Sequence, residues 1–387
     1  MCLYDLNAFL RLSAALNYQL SAAAVGRQSV LDTIMGGKPI PAGAKKLFAD
    51  ALDYLQMAYA PKRRRLGPMA ILHPLRATAL LARSSAELDV ADLLSMMLHD
   101  KMEDLTSEKY ERDYWEQIEQ RFEKFLRRMD EQARWFLMER IDFLAKKKKD
   151  TYYAYIGRLV GQATRTPELI RVKLADRLDN TLDMRIEIQD PLEGVDFYEH
   201  MFQLFFVNSY RGYVPCLEHP APAPIDGAQR MYELFKNVVT LSLIRQQKAI
   251  REDDVAQKLF DAICHASIRE AQRVVMHVFG YHYKEVRDQR QLLLEVLEYC
   301  RRGGVHAVTE VDERQRLDGF IIERFDHHSS PARRKQLESL YSDKELMVEG
   351  ALAFIVIFLS FLNEPNFFLN GISADGIYTM PRTSTAS

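Results

Sequence analysis

The stretch ELDVADLLSMMLHD, residues 87–100, decides how this chain folds. Val90, Leu93, Leu94, Met97 and Leu98 recur at i, i+3, i+4, i+7 and i+8, the spacing of a helix with one face in a core. Asp89 stands where an N-cap belongs, and His99-Asp100 fall at the far end, where two adjacent side chains can turn toward one point. A second stretch, TPELIRVKLADRLDNTLDM at 166–184, repeats the logic. Thr166 and Pro167 read as cap and first helical position, and Ile170, Leu174, Leu178 and Leu182 form the apolar stripe. Asp176 and Asn180, four apart, share a neighbouring polar face. With His73 in ILHPL (71–75), the order is His, His-Asp, Asp. Two imidazoles and two carboxylates are a donor set for one divalent ion such as Mn2+, without choosing among Mn, Fe, Co, Ni and Zn.

Outward from this block the chain stays helical. MCLYDLNAFLRLSAALNYQL reads as an amphipathic helix through Leu6, Phe9, Leu10, Leu16 and Leu20. It has no basic n-region, and Asp5, Arg11 and Asn17 break the apolar run that a signal peptide needs. GGKPIPAG at 36–43 is a turn, and AKKLFADALDYLQMAYA a further helix. Lys62 to Arg65 lie shortly before His73 and read as an electropositive lip or as a solvated run. Between the two halves of the motif, Trp115, Ile118, Phe122 and Phe125 are expected in the core. The lysines at 146–149 suit a helix C-terminus. Tyr152, Tyr153 and Tyr155 read as packing residues, with base stacking as the alternative.

In 387 residues there is room for more than one core. A net charge of −2 excludes a surface that is one continuous nucleic-acid footprint. Cys2, Cys216, Cys264 and Cys300 are isolated, which points to a reducing compartment and no cysteine zinc site. RGYVPCLEHPAPAPIDG, 211–227, is the clearest linker, and mostly helical patterns follow it, with a mixed stretch near 305–325. GALAFIVIFLSFL, 350–362, is shorter than the roughly 20 residues of a bilayer span and reads as a core or oligomer-interface helix. His265, His277, His282, His306, His327 and His328 lack ligand spacing, and the last residues read as a disordered tail.

HPL, HDKMED and KLADRLDN, in this order, resemble the HD-domain phosphohydrolases. More narrowly they resemble the hydrolase domain of the bifunctional alarmone (guanosine tetraphosphate and pentaphosphate) synthetase/hydrolases. The resemblance covers about residues 45–187. It implies a single divalent ion, Mn2+ foremost, on His73, His99, Asp100 and Asp176. It implies proton chemistry on Glu103 and Asp104 and a nucleotide contact from Asn180, while Arg64, Lys101 and Arg177 read from their own chemistry as groups for a phosphate or a base. Arg177 also reads as a local ion pair. The chain differs from the family at Tyr59, Pro68, Ala70, Lys101-Met102 and Asp179, positions on the substrate side.

The fold expected is mainly all-α. An N-terminal extension (1–40) precedes an HD-type helical bundle (41–215), a Pro-rich linker (216–227) and a mostly helical domain of no recognised type (228–387). Three functions fit. The first is metal-dependent release of pyrophosphate from a guanosine 3′,5′-bis(diphosphate)-like alarmone. The others are phosphohydrolysis of another nucleotide or phosphomonoester, and an inactive HD-fold scaffold or sensor. The expected partner is a small nucleotide in the cytoplasm, without nucleic acid or stable membrane insertion, and with the C-terminal half available for homo-oligomerisation.

Overall fold

The structure, a computed structural model, describes residues 2–22, 25–62, 69–184, 190, 192–214, 227–303, 330–369 and 371–377. Arg64 and its basic neighbours, the linker at 216–226, the mixed stretch, His306, His327, His328 and the tail lie outside the described residues. Among the described residues the fold is all but purely helical, with one two-stranded hairpin, Ile372–Ser373 against Gly376–Ile377. The chain forms two compact units.

The first unit comprises Met1–Asp150, Gly157–Asp183 and Gln247–Ile263. Its helices in chain order are α1 (Leu6–Ser21), α2 (Arg27–Met35), α3 (Lys45–Tyr59), α4 (Leu72–Ser84), α5 (Val90–Leu98), the single turn α6 (Lys101–Asp104), α7 (Arg112–Leu126) and α8 (Glu131–Leu144). The later half of α9 (Tyr152–Gln162), all of α10 (Glu168–Leu182) and the start of α13 (Asp254–Tyr281) complete it. Its centre is α4 packed on α10 and α5. Both α4 and α10 are buried on nearly every side. A helix enclosed in this way has no wet face for polar residues, so His73 and Arg76 on α4, and Asp176 and Asp179 on α10, must find partners inside.

Asp89 caps α5 through the Asp92 amide (2.7 Å), as the sequence predicts. The start of α10 differs: the helix begins at Glu168, with Pro167 at the cap position and no side chain capping it. Pro167 has no N–H to present, so one fewer donor needs a partner there. Ile118, Phe122 and Phe125 of α7 are buried as expected, with Phe122 against Tyr54 of α3 at 5.0 Å between ring centres, whereas Trp115 is only half-buried and stacks on Tyr110. A buried charge cluster ties the helices laterally. Asp92 of α5 receives Arg140 of α8 (2.7 Å) and Arg171 of α10 (3.2 Å), and Arg171 also holds Asp253 (2.7 Å). Asp253 caps the first amides of α13, Val255 and Ala256, so residues well past the Pro-rich stretch belong to this unit.

The second unit comprises Thr151–Ile156, Met184–Gln246 and Cys264–Ser387. In it, α11 is Phe197–Phe206, α12 Gly227–Gln246, α14 Val286–Gly303, α15 Ser330–Ser342 and α16 Lys344–Asn363. Tyr153 and Tyr155 are buried here, Tyr153 edge-on to Phe235, which is the packing role expected of them. Arg230, Glu270, Arg273 and Asp190 form a chain of ion pairs, Arg273 to Glu270 at 2.6 Å and to Asp190 at 2.8 Å. The apolar run at 350–362 sits in a 20-residue helix, α16, because Asp343 caps a preceding turn and a half that is also helical. By length and composition it could cross a membrane. Most of its residues are also buried, and it packs against α12, α14 and α15.

Candidate metal centre

Three segments meet at one point. His73 comes from the first turn of α4, and His99 and Asp100 from the two residues that break α5 from α6. Asp176 comes from the middle of α10. Asp100 leaves helical geometry (ψ 1°), which lets neighbouring side chains converge rather than diverge around a helix. The imidazole Nε2 atoms of His73 and His99 are 3.2 Å apart. Asp176 Oδ1 lies 3.3 Å from the first and 3.6 Å from the second. Asp100 reaches His73 with Oδ2 (3.4 Å) and His99 with Oδ1 (3.1 Å). Donors at about 2.1 Å from one ion stand roughly 3.0–3.4 Å apart at octahedral or tetrahedral angles, so these spacings suit a bound divalent cation.

Protonation makes the same argument. His99 Nδ1 lies 2.8 Å from the Met96 carbonyl, which can only accept, so the proton sits there and Nε2 carries a lone pair. His73 Nδ1 lies 2.6 Å from Asp179 Oδ2, and Asp179 takes two further hydrogen bonds from Arg76 (2.9 and 3.1 Å). An aspartate bound that way is an acceptor, so His73 too presents a lone pair at Nε2. Two lone pairs and two carboxylates facing one another repel unless a cation stands between them. Without an ion, protons take that role. Burial works to lower His99, but Asp100 and Asp176 outweigh it and hold it well above the ordinary histidine range. His73 is raised in the same way against its burial, through Asp176 and Asp179. Burial would raise Asp100, yet His99 and then His73 bring it down to about 2. Asp176 is lowered further, by Lys173 and the two histidines against its burial.

His73, His99 and Asp176 are all buried, while the Asp100 side chain keeps 22% of its exposure and marks the wet side of the centre. On that side, Glu103 and Asp104 lie on α6. Glu103 Oε1 accepts the Lys146 amide (2.6 Å), so the start of the lysine run, two residues past the end of α8, lies against Glu103. The Glu103 carboxyl is raised first by desolvation, with Asp100 and Asp176 adding and the Lys146 amide and Lys173 opposing. Asp104 Oδ1 accepts from Lys109 (3.1 Å), and Lys62 reaches its backbone carbonyl. The buried Tyr59 phenol is raised by burial and then by the Asp100 and Asp104 carboxylates.

The expected nucleotide contacts are placed as follows. Lys101 is buried, with its ammonium on Glu119 (3.0 Å) and over the Phe122 ring (4.5 Å). Asn180 donates to Asp176 Oδ1 at 2.6 Å, beside Lys173, which donates to Oδ2 at 2.7 Å. Arg177 is buried. Arg64 is among the residues not described. Sequence reasoning puts Asp179 on the substrate side, whereas it stands behind His73 on Nδ1, and it gives Arg76 no role. Their signal is spacing: each stands three residues after a predicted ligand on the same helical face. No family model matches the chain, and no curated protein matches it either.

Proposed function

We propose that the chain is a divalent-metal-dependent phosphohydrolase, with a 3′-pyrophosphorylated guanosine nucleotide as its substrate. The observation that carries the reading is the convergence of His73, His99, Asp100 and Asp176, each imidazole fixed with its lone pair inward. A divalent ion held there supplies Lewis acidity, lowering the pKa of water and polarising a phosphoryl oxygen. The protein's own residues do the rest. Asp100 is the ligand nearest solvent, so substrate approaches from its side. Glu103 stands on that side with its carboxyl shifted upward, which suits a group that takes a proton from the attacking water and returns it to the leaving oxygen. The ammoniums of Lys62 and Lys109 put positive charge at α6, where a polyphosphate needs it.

A second reading, hydrolysis of another nucleotide or a phosphomonoester, is favoured by two commitments within the fold. Lys101 is taken by Glu119 and the Asn180 amide by Asp176, so neither is free to serve an alarmone as expected from the sequence. The test is a nucleotide panel on Mn2+-loaded protein, read for phosphate and pyrophosphate. The expected product from guanosine tetraphosphate is pyrophosphate. Glu103→Gln should keep its metal and turn over roughly 10²–10⁴-fold more slowly. Consumption of a simpler nucleotide with no pyrophosphate from the tetraphosphate selects the second reading. No turnover of any nucleotide selects the scaffold.

A further inference from the structure

Behind His73, on the side away from the metal centre, lies a closed chain of polar contacts. Asp179, fully buried, touches His73 Nδ1 at 2.6 Å. Arg76, 1% exposed, grips both Asp179 oxygens at 2.9 and 3.1 Å. The same guanidinium reaches Asp183 (2.8 Å) and Ser13 of α1 (3.1 Å) and lies 4.8 Å over the Phe9 ring. An arginine–aspartate pair would be complete in itself. Here the aspartate also contacts a ligand histidine, at a shorter distance than either bond to the guanidinium. The bidentate grip removes the rotation of Asp179 about its own side chain.

We infer that Asp179 is a positioning residue for His73, clamped by Arg76, and that the pair fixes the tautomer and direction of the His73 lone pair toward a divalent cation. This rests on the reading that the site takes such a cation. The arrangement is that of a metal-bound histidine whose other nitrogen is held by a carboxylate, which sharpens ligand direction and basicity. Ser13 and Phe9 of α1 hold the far end of the arginine, so the N-terminal helix takes part in the metal centre without touching it.

The experiment is Mn2+ affinity of the full chain, measured by competition with a fluorescent chelator, for wild type, Asp179→Asn and the double variant Arg76→Gln/Asp179→Asn. Asp179→Asn should weaken Mn2+ binding by about 10–100-fold. It also leaves Arg76 buried with less negative charge and lowers thermal stability. The double variant also takes the guanidinium away from Asp183, so it should recover neither affinity nor stability. Regained affinity in the double variant, or unchanged affinity in Asp179→Asn, overturns the inference. Should neither variant fold, an imidazole nitrogen NMR spectrum of wild type loaded with diamagnetic Zn2+ decides: His73 must carry its proton on Nδ1 and coordinate through Nε2, and the reverse arrangement overturns it. A wild type that binds no Mn2+ fails at the functional reading itself, which is a different result from a wild type that binds and a variant that binds equally well.

Discussion

At Asp176 four contacts fall on one carboxylate. Oδ1 faces both histidines and takes the Asn180 amide, while Oδ2 takes the Lys173 ammonium. The charge is thereby kept ionised inside a buried site, which an isolated buried aspartate could not sustain. Asp176→Asn removes one anion with little change of shape. It should lose the metal while keeping its helical circular dichroism, as should His99→Ala; elemental analysis of the purified variants checks both. Full occupancy in either variant would break the ligand assignment. The identities of His73, His99, Asp100 and Asp176 are legible in sequence because each sits in a short pattern with its own helical frame. Asp179 is not, because its meaning depends on Arg76 and His73, both more than 100 residues earlier.

Between elements, the arrangement depends on Asp92. Its carboxylate joins α5, α8 and α10, two of which carry or abut ligands, and it is buried while doing so. Removing one partner of a buried pair leaves charge without compensation, at a cost of about 3–5 kcal/mol. Arg140→Ala should therefore destabilise the protein by about 3 kcal/mol, since Arg171 remains beside Asp92, with an unchanged denaturant slope in urea unfolding. A loss below about 1 kcal/mol would mean that water replaces the guanidinium without penalty. At this scale the helices themselves are legible: α5 follows its apolar spacing and its Asp89 cap. The break at Asp100 that separates α6 is not, since KMED is as good a helix former as what precedes it.

For the whole molecule, the two units should answer pH in opposite directions. In the first, His73 and His99 have raised folded-state values, so metal-free protein holds their full stabilisation below 6.5 and loses it as pH rises through those values. A divalent ion replaces those protons. The gain in Tm from Mn2+ should therefore be larger at about pH 8.5 than at about pH 6, and metal uptake should release protons, both measurable by calorimetry. In the second unit, burial holds His200 and His277 at about 4. These groups favour the fold above 6.5, and that contribution is lost as pH falls from there toward 4, so His200→Gln should flatten the acid limb of the stability curve.

The sequence by itself determined the helical class, the faces of α5 and α10, and the residue types that could hold a metal. Those follow from periodicities and caps that act over a few residues, so a local reading suffices. Only the tertiary structure decided what stands behind each ligand. Arg76 could have faced water, and Lys101 could have faced a substrate. Asp179 could have been a passive neighbour of Asn180. Enclosing α4 and α10 on nearly every side, and burying Lys101 on α6, left these groups little or no solvent. Each then paired with what the fold brought within hydrogen-bond reach: Arg76 with Asp179, Lys101 with Glu119, Asp179 with His73. Such pairings are set by geometry across long sequence separations, which no local pattern encodes.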